Sequence, residues 1–168
     1  PADIVSIPTS AYATLRADDP TFEYRPGFLA TFLAAPEVDL LRYYDDSKAT
    51  APHATMAAMA GFESAVLIAG GRNKGLDLTE LGDLAPHLRA VIAIGEAAPD
   101  VEAAFRGRTR TVTASSMDEA VALAAELAEA GDDVVLSPAC ASFDWYVGYA
   151  ARGDDFHRAV REHLEAVS

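Results

Sequence analysis

The chain predicts an α/β fold, a mostly parallel sheet with helices on both faces. Three observations carry that expectation. Short apolar runs at Ser64–Ala69, Ala90–Ile94 and Asp133–Leu136 have the length and composition of strands buried on both sides. Segments with helical patterning alternate with them, the arrangement that lays parallel strands side by side. About half of the 168 residues are hydrophobic (51%), enough to cover both faces of such a sheet.

The first 27 residues are interrupted by Pro1, Pro8, Pro20 and Pro26, so residues 1–26 read as an irregular extension or linker. Within it, Ala2–Ile7 and Thr21–Tyr24 reach at most short edge strands. From Phe28 the chain becomes regular, and residues 27–168 read as one domain. Leu29–Ala35 and Leu40–Tyr44 predict two strands joined by a turn at Pro36-Glu37-Val38-Asp39. Pro52 suits the first turn of a helix running from His53 to about Ala60. Ser64–Ala69 ends at Gly70-Gly71, as a buried strand does. Leu78–Leu88 predicts a helix, Ala90–Ile94 a strand, Pro99–Arg106 a helix and Arg110–Thr113 a short strand. Ser116-Met117-Asp118-Glu119 is a capping box opening a helix that Gly131 is expected to stop. Helices are expected around Trp145–Arg152 and Asp154–Val167 after the strand at Asp133–Leu136.

Charge and composition exclude several classes of partner. A formal charge of −13 leaves no basic stripe for nucleic acid and disfavours anionic membranes. No apolar run approaches membrane-spanning length. No segment with a basic start and apolar continuation signals secretion, and the single cysteine, Cys140, cannot form an internal disulfide, so a reducing cytoplasm is expected. No zinc-ligand spacing occurs. Cys140 reads as a packed thiol rather than a nucleophile, and His87 and His163 as surface residues.

Lys48 and Lys74 are the only lysines, and every other basic residue is arginine except the histidines. Both lie in short polar loops after predicted strands. Ligands in such sheets bind beyond the carboxyl ends of the strands, and three loops are expected there. Asp45–Thr50 offers two carboxylates, two hydroxyls and an ammonium. Gly70–Gly75 lets backbone approach a ligand, with Lys74 able to grip an anion. Ser137–Ser142 is expected to open a helix with free N–H groups. Each alone reads equally well as an ordinary capped turn; together they describe an anion-binding pocket on one edge. Gly70–Gly75 lacks the spacing of a Walker A loop, and no Gly-x-Ser-x-Gly elbow occurs.

The stretches Asp45–Thr50 (DDSKAT), Gly70–Asp77 (GGRNKGLD), Leu136–Asp144 (LSPACASFD) and Arg152–Phe156 (RGDDF) resemble, in order and spacing, the C-terminal domain of the D-glutamate-adding Mur ligases, over about 140 residues. The resemblance implies a Rossmann-like domain that holds D-glutamate in an ATP-dependent ligase of peptidoglycan synthesis. It implies that Lys74 pairs with a D-glutamate carboxylate, and that Thr50, Ser142 and the backbone at Phe143 hold the side-chain end. Tyr149 stands where the family usually has phenylalanine and would wall the pocket. Asp46 would touch the ATP ribose, and Lys48 would lie by the reacting groups as the catalytic lysine. A dianionic amino acid does call for an ammonium plus fixed donors.

The departures are equally specific. The family's Gly-Leu-Pro-His-Arg reads Gly27-Phe28-Leu29-Ala30-Thr31 here, so Ala30 and Thr31 replace a His-Arg pair whose arginine helps bind nucleotide phosphate. The asparagine usual after DSKAT is Ala51, a poor helix cap. The 168 residues contain no counterpart of the family's ATP-binding domain, with its Walker A loop and magnesium ligands, or of its nucleotide-sugar domain. On this reading the chain is an excised or split portion of such a ligase, and if split, the other domains are its partners in trans. The rival expectation is a free-standing amino-acid-binding or regulatory module without ligase activity.

ATP and magnesium belong to the full ligase on this reading, and neither is expected to bind this chain tightly. By itself the chain is expected neither to hydrolyse ATP nor to form an amide, because it has no phosphate-cradling loop and no evident magnesium site. Magnesium-dependent ATP turnover by the pure protein, abolished by changing Asp46, would contradict this.

Overall fold

The computed structural model describes residues 4–6, 31–34 and 41–167, with side chains for 41–167. A seven-stranded sheet runs in the order β1-β2-β3-β7-β4-β5-β6. Its strands are β1 (Ile4–Ser6), β2 (Thr31–Ala34), β3 (Arg42–Asp45), β4 (Ala65–Gly70), β5 (Leu88–Ile94), β6 (Arg110–Ala114) and β7 (Asp133–Ala139). The five strands from β3 to β6 in that order pair in parallel, and β1 and β2 add an antiparallel edge. The expected mostly parallel sheet is present, and Ile4–Ser6 forms an edge strand within Ala2–Ile7. Thr21–Tyr24, the turn at 36–39 and Ala30 lie outside the described residues.

The helices are α1 (Pro52–Met59), α2 (Ala98–Phe105), α3 (Met117–Leu127) and α4 (Tyr149–Val167), with a 3₁₀ helix at Thr79–His87. Strand side chains alternate between faces with a period of two. Leu67, Val91 and Val135 point into one core with Met59, Phe62, Leu81, Val101 and Phe105. Val66, Ile68, Ile92, Val134 and Leu136 point into the other, with Met117, Val121, Phe156 and Val160. The connections from β3 to β4, β4 to β5 and β5 to β6 step one way along the sheet and lay their helices on the first face. The return from β6 to β7 reverses direction, so constant right-handed crossover puts α3 on the second.

Four local expectations need correction. Thr79–His87 is a 3₁₀ helix, not an α-helix. Gly82 and Asp83 are weak helix formers and Pro86 lacks a donor, and Gly82 is held so close to α2 that an added Cβ would meet Ala104 O at 2.4 Å. Helix α4 is continuous through Gly153 rather than split there. The glycine accommodates Asp45, whose Oδ2 would stand 2.5 Å from a Cβ. Helix α3 begins as expected, with Ser116 Oγ accepting from Glu119 N–H at 3.1 Å, while the Glu119 carboxylate accepts from Ser115 N–H and hydroxyl. It ends at Leu127, however, before Gly131, which instead turns the chain into β7 at φ +95°.

The fourth correction bears on the site. Ser137–Ser142 does not open a helix, because β7 continues to Ala139 and α4 starts only at Tyr149. The pairing Ile68↔Leu136 is followed by Gly70↔Ala139, so β7 carries one extra residue there. Pro138, which cannot donate to a ladder, falls in this bulge.

Two glycines separate packing from strain. Gly70 sits at φ +126°, and an added Cβ would lie 2.0 Å from Ile94 O; Gly75 sits at φ +81° with nothing near that position. Gly75→Ala is therefore expected to cost about 1 kcal/mol, the left-handed penalty alone, and Gly70→Ala at least about 3 kcal/mol. Urea unfolding of both variants checks this, and equal costs would contradict it.

Candidate functional site

Parallel strands deliver their carboxyl ends to one edge, and β7 lies between β3 and β4. The loops after these three strands are therefore neighbours, as expected for Asp45–Thr50, Gly70–Gly75 and Ser137–Ser142. Backbone pairing continues into them. Asp46 N–H donates to Leu136 O at 2.8 Å, and Arg72 and Ala141 exchange both backbone hydrogen bonds at 2.7 and 3.1 Å. Gly71 N–H donates to Ile94 O at 3.0 Å, which brings the loop after β5 alongside.

The β3 loop is folded by its own carboxylates. Asp45 Oδ1 accepts from Ser47 N–H at 2.8 Å. Its Oδ2 lies 3.1 Å from His157 Nε2, without hydrogen-bond alignment. Asp46 is buried and accepts from the Ser137 hydroxyl at 2.8 Å; the Thr55 hydroxyl stands 3.1 Å from Ser137 Oγ. Burial pushes the Asp46 carboxyl up to about 7, aided by the Asp45 charge and opposed by Ser137, Arg152 and Lys48. Lys48 is exposed and Thr50 half-buried beside it.

On the β4 loop, the Asn73 side chain braces a tight turn. Its Nδ2 donates to Leu76 O and its Oδ1 accepts from Leu76 N–H, both at 2.9 Å. Lys74 and Gly75 are carried at the tip, and Lys74 Nζ stands 5.6 Å from the centre of the Phe143 ring, a cation–π approach. Arg72 clasps Glu96 through two bonds of 2.8 and 3.0 Å.

On the β7 loop, Ala139 takes φ +59° and Cys140 is buried, its thiol pushed up to about 11 by burial. This is the packed thiol expected from the sequence. Ser142 is buried and its carbonyl accepts from Tyr146 N–H at 2.8 Å. Phe143 and Tyr149 are exposed on the rim. Asp144 Oδ2 accepts from Glu96 N–H at 3.0 Å, and Gly95, at φ +69°, leaves it room.

The structure thus brings Lys74 together with Phe143, and ties the Asp46–Thr50 loop to Tyr149, whose carbonyl accepts from the Ser47 hydroxyl at 2.8 Å. Sequence reasoning gave Arg152 no role beyond membership of a motif. It is almost fully buried, at 1% exposure. Its Nε donates to Ser47 Oγ at 2.9 Å, and Nη2 to Ser47 O at 2.8 Å. Nη1 and Nη2 both reach Cys140 O at 3.1 Å, and Nη1 lies 3.5 Å from Gly70 O. Burial draws the guanidinium down to about 10, so it stays charged at neutral pH. Arg152 shares a helical stripe with Phe156, Ala159 and Val160, all core residues, but the stripe spans the break expected at Gly153.

Of the Asp46 carboxylate, Oδ2 is the oxygen that accepts from the Ser137 hydroxyl. Among the described residues no group of three or more His, Cys, Asp or Glu is arranged to hold a metal. His53 and His87 are exposed, and His163 is half-buried.

Because the folded pKa of Asp46 is raised, its contribution to stability is full below pH 4 and falls as pH rises to about 7. Asp46→Asn keeps an acceptor for Ser137 without the charge. The variant is expected to gain on the parent by about 2 kcal/mol between pH 5 and pH 8. Denaturant unfolding at the two pH values measures this, and an unchanged difference would contradict it.

Comparison with known proteins agrees with this architecture. A crystallised domain from a provisionally assigned UDP-N-acetylmuramate:L-alanyl-gamma-D-glutamyl-meso-diaminopimelate ligase of Haemophilus ducreyi 35000HP shares the fold. The TM-score is 0.51 at 16% identity, covering 80% of this chain and 98% of that domain. In sequence, the UDP-N-acetylmuramoylalanine–D-glutamate ligase of Desulfotalea psychrophila is 47% identical over 121 residues, 71% of this chain and 26% of the relative. The ligase of the same name from Frankia casuarinae is 48% identical over 128 residues, 74% of this chain and 27% of the relative. The chain thus matches about a quarter of the length of these relatives. The family described as Mur ligase, glutamate ligase domain, matches residues 34–140. With most of its parallel sheet inside that match, the chain belongs to the Mur ligase glutamate ligase domain family.

Proposed function

We propose that this chain is the D-glutamate-binding domain of a bacterial, cytoplasmic, ATP-dependent ligase that joins D-glutamate to UDP-N-acetylmuramoyl-L-alanine in peptidoglycan synthesis. The observation that carries this is the gathering of the loops bearing Lys74, Thr50 and Ser142 at one sheet edge, in a chain of which 71–74% aligns with ligases of that name at 47–48% identity. Residues 27–168 form the ligase domain on this reading, and residues 1–26 an extension whose strand β1 borders the sheet.

Lys74, at the tip of a braced turn, pairs with one carboxylate of D-glutamate. Thr50, Ser142 and the backbone of Phe143 hold the side-chain end, and Tyr149 walls the pocket. Lys48 lies by the reacting groups and Asp46 takes a ribose hydroxyl of ATP. In the complete reaction ATP phosphorylates the alanine carboxylate, the D-glutamate amine displaces phosphate, and an amide results. The domain's own part is to place the amine, while the nucleotide-sugar and ATP domains supply the other substrates and magnesium.

Titration calorimetry of this chain with D- and L-glutamate tests the reading. Without the partner domains, D-glutamate is expected to bind at roughly millimolar affinity, about −4 kcal/mol. A charge-assisted hydrogen bond contributes about 1.5–3 kcal/mol, so Lys74→Ala removes most of the binding. Lys74→Arg rescues poorly because guanidinium is wider and forked, and added salt weakens the parent. If Lys74→Ala binds D-glutamate as the parent does, the role of Lys74 is wrong.

A further inference from the structure

Most arginines on the described surface pair with carboxylates: Arg42 with Asp133, Arg72 with Glu96, Arg89 with Asp132, Arg108 with Asp83 and Arg158 with Asp118. Arg152 does not. Its hydrogen bonds go to three backbone carbonyls and one hydroxyl, and these belong to three different loops. The geometry points to Arg152 as a positioning residue that sets the loops of Lys48, Lys74 and Ser142 in one mutual arrangement for the acceptor amino acid, without touching it. The inference rests on the reading of this edge as the D-glutamate site.

Distance along the chain makes the coupling tight. Ser47 is the immediate neighbour of both Asp46 and Lys48. Gly70 precedes Lys74 by four residues, with the Asn73 brace between them, and Cys140 precedes Ser142 by two. Only a planar fork of five donors reaches all these acceptors at once. The surroundings are shaped to admit it. A Cβ on Gly71 would stand 3.0 Å from Arg152 Nη1, and 2.3 Å from Ala141 O. Gly153, the next residue, makes room for Asp45, which folds the Ser47 turn. Packing alone does not call for an arginine here. An apolar side chain would continue the stripe of Phe156 and Val160 without burying a cation, which is costly unless its donors are used.

The test uses Arg152→Lys, which keeps the charge but not the fork, with Phe156→Leu as a control in the core of the same helix. D-Glutamate is titrated into each protein, and hydrogen exchange is followed at the Ala49, Arg72 and Ala141 amides, one in each loop. Arg152→Lys is expected to weaken D-glutamate binding at least about tenfold, equivalent to about 1.4 kcal/mol, and to raise exchange at all three amides together. Phe156→Leu is expected to lower the unfolding midpoint yet hold affinity within about twofold. Parent-like affinity in Arg152→Lys, or faster exchange confined to one loop, overturns the proposal, as does an equal loss of affinity in Phe156→Leu. If the parent shows no D-glutamate binding, the substrate reading fails, and exchange alone then decides: a concerted rise upholds Arg152 as organiser of the edge, and a rise in one loop overturns it.

Discussion

The insertion of β7 between β3 and β4 is the constraint on which everything at the carboxyl edge depends. Consecutive strands β4, β5 and β6 sit side by side, but β3 and β4 are held apart by a strand that arrives some 60 residues later in the chain. That strand pairs with both neighbours, Val134 opposite Tyr43 on one side and Val66 on the other. Without it, the DDSKAT loop and the Gly70–Gly75 loop would have no common neighbour. With it, one bulge at Pro138 and one left-handed residue at Ala139 suffice to turn the β7 loop between them.

The edge so formed gathers most of the buried polar side chains among the described residues. Two apolar layers flank the sheet, and Asp46, Ser137, Thr55 and Arg152 are buried above its end. Each has a hydrogen-bond partner from another segment of the chain, the condition under which burial of such groups is tolerated. Burial shifts Asp46 upward and Arg152 downward, each toward neutrality, as expected where the local medium penalises charge of either sign. At the amino ends of the strands the pattern differs: Arg42–Asp133 and Arg89–Asp132 are paired ions that fasten β7 to its surroundings.

Local signals in the sequence were reliable where the determining interaction is local. Ser116 caps α3, Pro52 opens α1, and the apolar runs become strands. The placing of three chemistry-bearing loops on one edge was also legible, because parallel topology implies it. What escaped was decided at a distance. Thr79–His87 tightens because Gly82 rests on α2, and α4 runs through Gly153 because Asp45 needs the space. The helix expected after Ser137 is displaced by a bulge whose only trace is a proline in an apolar run. Arg152 was hidden for a different reason. In a chain with 11 arginines, position on a buried stripe distinguishes it, and that stripe becomes apparent only once α4 is one continuous helix.

The late arrival of β7 also orders events during synthesis. As the chain emerges from a ribosome, β3 through β6 are available first, and β3 and β4 are then natural candidates to pair with each other. The native sheet needs that slot kept open until residue 139 has appeared. Pairings of such long sequence separation are the slow ones in folding, and Arg152, which fastens the three loops, follows only after β7. The three loops therefore meet only late, once β7 fills the place between β3 and β4.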